Sequence, residues 1–113
     1  MAKRNKGSET IEYGSTNVFA DLGYADAEER QTKLHLAYAI YQIVSERGLT
    51  QTSAANILRI NQPKVSALLN YKLEGFSVER LMTLLTALDR DVDIVIRKKP
   101  RTRGAGKISV LAA

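Results

Sequence analysis

At 113 residues, with 44% apolar content but only 6% aromatic residues and no Trp, the chain has room for one small domain around an aliphatic core, with tails. The absence of Cys and the single His35 exclude a disulfide framework, a thiolate metal site and a histidine-built zinc site, so neither metal nor cofactor is expected. The net charge of +5 lies in the second half, where basic residues prevail from position 48 onward after an acidic stretch over 18–47, and this favours a polyanionic partner.

Residues 1–15 read as a disordered segment; their start, MAKRNKGSET, lacks the apolar core of a signal peptide. No apolar run approaches a membrane span, so a cytoplasmic chain without membrane contact is expected. A domain over 16–90 follows. Thr16 or Asn17 caps a short helix carrying Val18, Phe19 and Leu22, which Gly23 ends. Asp26 is the N-cap of a longer helix, with Glu28 and Glu29 at its positive end. Its apolar stripe runs through Leu36, Ile40, Ile43 and Arg47, widened by Leu34, Ala37, Tyr41 and Val44. His35, Tyr38, Gln42 and Glu46 fall opposite, which makes His35 a wet-face histidine, and Gly48 stops the helix.

Thr50 caps the next helix, over 51–58, with Ala54 and Ala55 facing inward and Leu49 as a hydrophobic staple. A break at Arg59, Ile60 and Asn61 separates it from a helix over 62–70 that places Val65, Leu68 and Leu69 on its apolar side. After a loop over 71–76, Ser77 caps a last helix with Val78, Leu81, Leu85 and Leu88 on one face and Met82 and Leu84 beside it. The character then changes. Over residues 91–98, Val92, Ile94 and Ile96 alternate with Asp91, Asp93 and Arg97, which reads as a strand. A lone strand leaves its ladder groups unpaired, so the expected partner is the same strand of a second subunit across a two-fold axis; the alternative is an extended Ile11 to Tyr13 of the same chain. Residues 99–113 form a flexible basic tail, either solubilising or gripping phosphates.

Two helices joined by so short a break must cross steeply, and only small residues at the crossing let the backbones approach. That is helix-turn-helix geometry, whose second helix can enter a DNA major groove. Independent requirements coincide here. Ala55 is small where the helices meet; Leu58, Ile60 and Val65 are apolar where the motif turns inward; Asn61 is a good N-cap. Pro63 is tolerated in a first helical turn and disfavours continuing the preceding helix. Gln62 can pair bidentately with an adenine edge, Lys64 can donate to guanine or phosphate, and Asn61, Ser66 and Asn70 are short polar groups for bases or backbone. Gln51 and Lys72 are placed to hold phosphates. Any one feature alone would describe a solvated helix face; together they point to double-stranded DNA.

In these segments the chain resembles the helix-turn-helix regulators of the Xre/Cro superfamily, in the branch similar to HigA-type antitoxins. The residues that carry the likeness are Asn17-Val18-Phe19-Ala20-Asp21-Leu22-Gly23, Gly48-Leu49-Thr50-Gln51, Ile60-Asn61-Gln62-Pro63-Lys64-Val65-Ser66 and Phe76-Ser77-Val78-Glu79-Arg80-Leu81. The likeness covers about residues 16–99. It implies an all-α, lambda-repressor-like bundle and a homodimer, to which the period-two pattern over 91–98 adds the one C-terminal strand. It also implies repression at a palindromic operator and, in many relatives, neutralisation of a RelE/HigB-like toxin. Such regulators usually place Gly first in the turn; here Arg59 stands there, and a left-handed backbone would strain it.

Competing readings are weaker. A protein-interaction module would use the acidic region over 21–46. RNA binding lacks aromatic stacking platforms, and catalysis lacks a nucleophile–base pair, a metal-ligand spacing or a Gly-rich phosphate loop.

Overall fold

The computed structural model describes residues 26–112 together with Lys3–Arg4 and Ile11–Glu12. The short helix expected after Thr16 lies outside the described residues. Four helices follow one another: α1 Ala27–Glu46, α2 Gln51–Leu58, α3 Gln62–Leu69 and α4 Val78–Ala87.

Their starts follow the capping chemistry of the sequence. The side chains of Thr50, Asn61 and Ser77 accept the backbone N–H of Ser53, Lys64 and Arg80 at 3.0, 2.8 and 3.0 Å, each satisfying a donor that the first helical turn leaves orphaned. Asp26 departs from expectation. Its carboxylate makes no cap bond; Arg30 donates to it at 2.8 Å, and this contact holds the Asp26 carboxyl below its usual range.

The helix ends share one device. Gly48, Arg59, Tyr71 and Asp89 all have φ near +60°, and the residue after each donates to a carbonyl five positions back: Leu49 to Val44, Ile60 to Ala55, Lys72 to Ala67 and Arg90 to Leu85, at 2.9–3.2 Å. These are Schellman closures, which satisfy carbonyls the helix end would otherwise leave bare. Only Gly48 adopts that backbone without a Cβ penalty.

The core gathers Leu36, Ala37, Ile40, Ile43 and Val44 of α1, Ala54 and Leu58 of α2, Ile60 of the turn, Val65 and Leu68 of α3, and Leu81, Leu84 and Leu85 of α4, closed by Phe76 and Leu88. The α1 stripe is therefore as expected at Leu36, Ala37, Ile40, Ile43 and Val44, but Leu34 is only half-buried, Thr32 is buried instead, and Tyr41 is exposed beside Tyr71 with ring centroids 6.3 Å apart. Arg47, at the end of the same stripe, sends its guanidinium across to donate to the Leu88 carbonyl at the C-terminal end of α4. A cation there meets the negative end of the helix dipole and ties two helix ends 41 positions apart. Phe76, expected only as a loop residue, is buried. His35 is half-buried beside Gln31, and its desolvation lowers its pKa, favouring the neutral ring.

Two expectations at the chain ends are corrected, while the strand over 91–98, expected to pair with a second subunit, has no partner in the single chain. Residues 90–100 accordingly form no strand here: a period-two pattern supplies a face, but a ladder needs a partner, and none of the described strands lies beside this stretch. Val92 instead packs against the core, while Ile94 and Ile96 stand 76% and 93% exposed. The segment expected as disordered contributes β1 Lys3–Arg4 and β2 Ile11–Glu12, which pair antiparallel. Ile11–Glu12 also pairs, antiparallel, with β3 Leu111–Ala112, so the β partner of this region is the far end of the chain rather than residues 91–97. The basic tail is accordingly not a free arm. The Ile108 N–H donates to the Glu28 carboxylate at 3.2 Å, Val110 packs against the core, and Lys99 Nζ donates to the Arg103 carbonyl at 2.8 Å.

Candidate nucleic-acid interface

The α2–turn–α3 unit is built by burial on one side. Ala54 is fully enclosed where α2 and α3 meet, with Leu58, Ile60, Val65 and Leu68 buried around it. Ala55, expected inside with Ala54, is only partly buried. The left-handed Arg59 (φ 59°, ψ 42°) turns the chain so that Ile60 drops into the core and Asn61 can cap α3. Burial of Ile60 offsets the strain at Arg59, which a β-carbon in this region sets at about 1–2 kcal/mol. Arg59→Gly is therefore expected to raise the unfolding free energy by about 0.5 kcal/mol or slightly more, the relieved strain less the extra unfolded-state entropy of glycine. Urea denaturation checks this; a loss of stability would show that Arg59 is unstrained.

The opposite side of the unit is open. Gln51, Asn61, Gln62, Lys64 and Lys72 are all exposed, and Ser66 is half-buried. Three of the expected site residues make contacts that define their posture. Asn61 spends its carbonyl oxygen on the Lys64 N–H, leaving its amide nitrogen for an outside acceptor. Gln62 Nε2 donates to Thr52 Oγ1 at 3.3 Å, linking the exposed edges of α2 and α3. Lys64 Nζ lies over the Phe76 ring, 5.5 Å from its centroid, a cation–π arrangement that steadies the ammonium beside α3.

Asn70 behaves differently. It sits at the C-cap of α3, and its Nδ2 donates to the Ser66 carbonyl at 2.8 Å, so its amide closes the helix end. The outward polar edge thus concentrates in the first turn of α3, at Asn61, Gln62, Lys64 and Ser66. Sequence reasoning missed Thr52 and Phe76. The signal for Thr52 was its place in the first turn of α2, beside Gln51 and across the break from Gln62. For Phe76 no local pattern showed that the loop folds back over α3.

The arrangement is a short, cation-bearing helix whose first residues, Gln62, Pro63 and Lys64, are exposed while Val65 and Leu68 hold it to the core. It suits a groove bordered by phosphates, with donors and acceptors for base edges. Among the described residues no group of His, Cys, Asp or Glu could hold a metal ion.

A family model described as a helix-turn-helix domain matches residues 18–97. A solved structure named as an XRE family transcriptional regulator is 72% identical, superposes with a TM-score of 0.76, and is covered over 99% of its length by 78% of this chain. The chain belongs to the XRE helix-turn-helix family. No curated protein matches it. The family match runs through residue 97 and so takes in the exposed apolar stretch at Ile94 and Ile96 as well as the four helices of this XRE chain.

Proposed function

We propose that this XRE-family chain is a sequence-specific DNA-binding transcription regulator that reads base edges with the first turn of α3. The observation that carries the reading is the two-sidedness of that helix: Val65 and Leu68 are fully enclosed, while Asn61, Gln62 and Lys64 project from the other side. Gln51 at the start of α2 and Lys72 after α3 serve as phosphate contacts flanking the reader, and the basic balance from residue 48 onward adds the sequence-independent attraction to DNA. Selection of duplexes from a randomised pool tests this directly. Recovery of one motif supports the reading, and recovery of none overturns it.

The regulator acts as a homodimer on a palindromic operator. Its seam is the stretch Val92 to Ile96, where Ile94 and Ile96 leave apolar side chains in water and Val92 anchors the stretch to the core. Pairing this stretch with its two-fold copy would cover both isoleucines and supply the missing ladder. Two readers then sit about 34 Å apart, one DNA turn. Ile94→Lys is expected to give a monomer by sedimentation without loss of helix content; a variant that remains dimeric refutes the seam. No helix among the described residues is long and apolar enough to cross a membrane, which agrees with a cytoplasmic regulator. An added antitoxin role, with a RelE/HigB-like toxin as partner, rests on the resemblance alone, and the neighbouring reading frame decides it.

A further inference from the structure

We propose that the loop over residues 97–107 is a second DNA-contacting element, which grips phosphates whatever the sequence while α3 reads bases. The inference rests on the reading of the chain as a DNA-binding regulator.

Arg97, Lys98, Lys99, Arg101, Arg103 and Lys107 stand in this loop, and no carboxylate does. Their six charges exceed the net +5 of the whole chain, so the remainder, helix-turn-helix included, carries −1. The field that draws the chain to a polyanion therefore comes chiefly from this loop. It is anchored on both sides. Val92 packs against the core before it; after it the Ile108 N–H donates to the Glu28 carboxylate and Val110 packs against the core. Within it the Arg103 N–H donates to the Pro100 carbonyl at 3.2 Å and Lys99 Nζ to the Arg103 carbonyl at 2.8 Å, which closes a turn. A Cβ at Gly104 or Gly106 would meet nothing within 4 Å, so the turn stands in open space there. All the cations except the half-buried Arg103 are exposed, and among the described residues no carboxylate pairs with Arg97, Lys98 or Arg101. An anchored loop loses less freedom on binding than a free tail. Its chemistry also selects the partner. A protein interface needs apolar or aromatic anchors, and this loop offers only Pro100 and Ala105. A phosphate backbone needs only cations placed along its line.

The experiment uses the full chain with three ligands: a duplex selected from a randomised pool, an unrelated duplex and polyglutamate. Affinities are measured across a range of salt for the natural chain and for a triple variant carrying Arg97→Gln, Lys98→Gln and Arg101→Gln. Each phosphate contact contributes about 0.9 to the slope of log affinity against log salt, so the variant is expected to lose about two to three units of slope on both duplexes. Both duplexes weaken by the same factor, the preference for the selected one is kept, and the melting temperature is unchanged. A slope loss below about one unit shows that these charges do not touch phosphates and overturns the proposal, while base reading by α3 stands. Weakening of the selected duplex alone makes the loop a base reader and overturns the phosphate grip. Polyglutamate bound as tightly as the unrelated duplex, and lost equally in the variant, marks a surface for acidic polypeptides and overturns DNA as its partner. If the natural chain binds neither duplex, the regulator reading falls and the proposal with it.

Discussion

Replacing Leu68 by alanine is expected to cost about 2–5 kcal/mol of unfolding free energy, a large share of the roughly 5–15 kcal/mol that holds a domain of this size together. Leu68 is 0% exposed and joins α3 to the shared core of all four helices. Its removal leaves a cavity in the layer that fixes the reader helix, and the cost adds lost transfer energy to lost contact. In thermal unfolding a change of this size lowers the midpoint by about 10 °C or more, since each 1 kcal/mol moves a small domain by about 4–8 °C. Ile57→Ala is the control. Ile57 is 37% exposed on α2, and its truncation is expected to cost less than about 1 kcal/mol. Equal losses for the two variants would show that α3 is not seated by Leu68.

The elements written in local chemistry were legible. Thr50, Asn61 and Ser77 cap helices because short side-chain oxygens reach back to orphaned amides, a requirement met within three residues. Gly48 ends α1 because it alone takes a left-handed backbone freely. What residue type does not announce, or what depends on distant partners, was not legible. Tyr71 and Asp89 end helices in the same left-handed state, yet neither residue type announces it; the N–H of the next residue closes on the carbonyls of Ala67 and Leu85. Residues 91–97 alternate, but alternation specifies a face and not a partner, and the strand partner of Ile11–Glu12 proved to be Leu111–Ala112. The posture of the site followed the same division. That Gln62 and Lys64 are exposed was readable from the helical period. That Gln62 meets Thr52 and Lys64 lies over Phe76 was not, because both depend on how the chain folds back after a helix, whereas the Asn70 bond to the Ser66 carbonyl is local and competes with an outward posture of that side chain.

The double substitution Gln62→Ala with Lys64→Ala is expected to have the largest effect on DNA binding. Each good base contact discriminates by about 1–3 kcal/mol, so losing both lowers affinity for a selected duplex by about 100-fold or more while weak binding to unrelated DNA persists. If Lys64 contacts phosphate rather than guanine, the variant also loses about one unit of the slope of log affinity against log salt. Stability is expected to fall by less than about 1 kcal/mol, because the groups removed are exposed and lose one hydrogen bond and one cation–π contact. Titration of the variant against selected and scrambled duplexes at two salt concentrations separates these effects. Selected-site affinity equal to that of the natural chain would remove α3 from base readout.

Entry of the first turn of α3 into the groove is read residue by residue by amide NMR of the labelled chain titrated with its selected duplex. The largest shifts are expected at Asn61, Gln62, Lys64 and Ser66, with smaller ones at Gln51 and Lys72. Shifts confined to the basic segment over 97–107, with the amides of α3 unmoved, would contradict it.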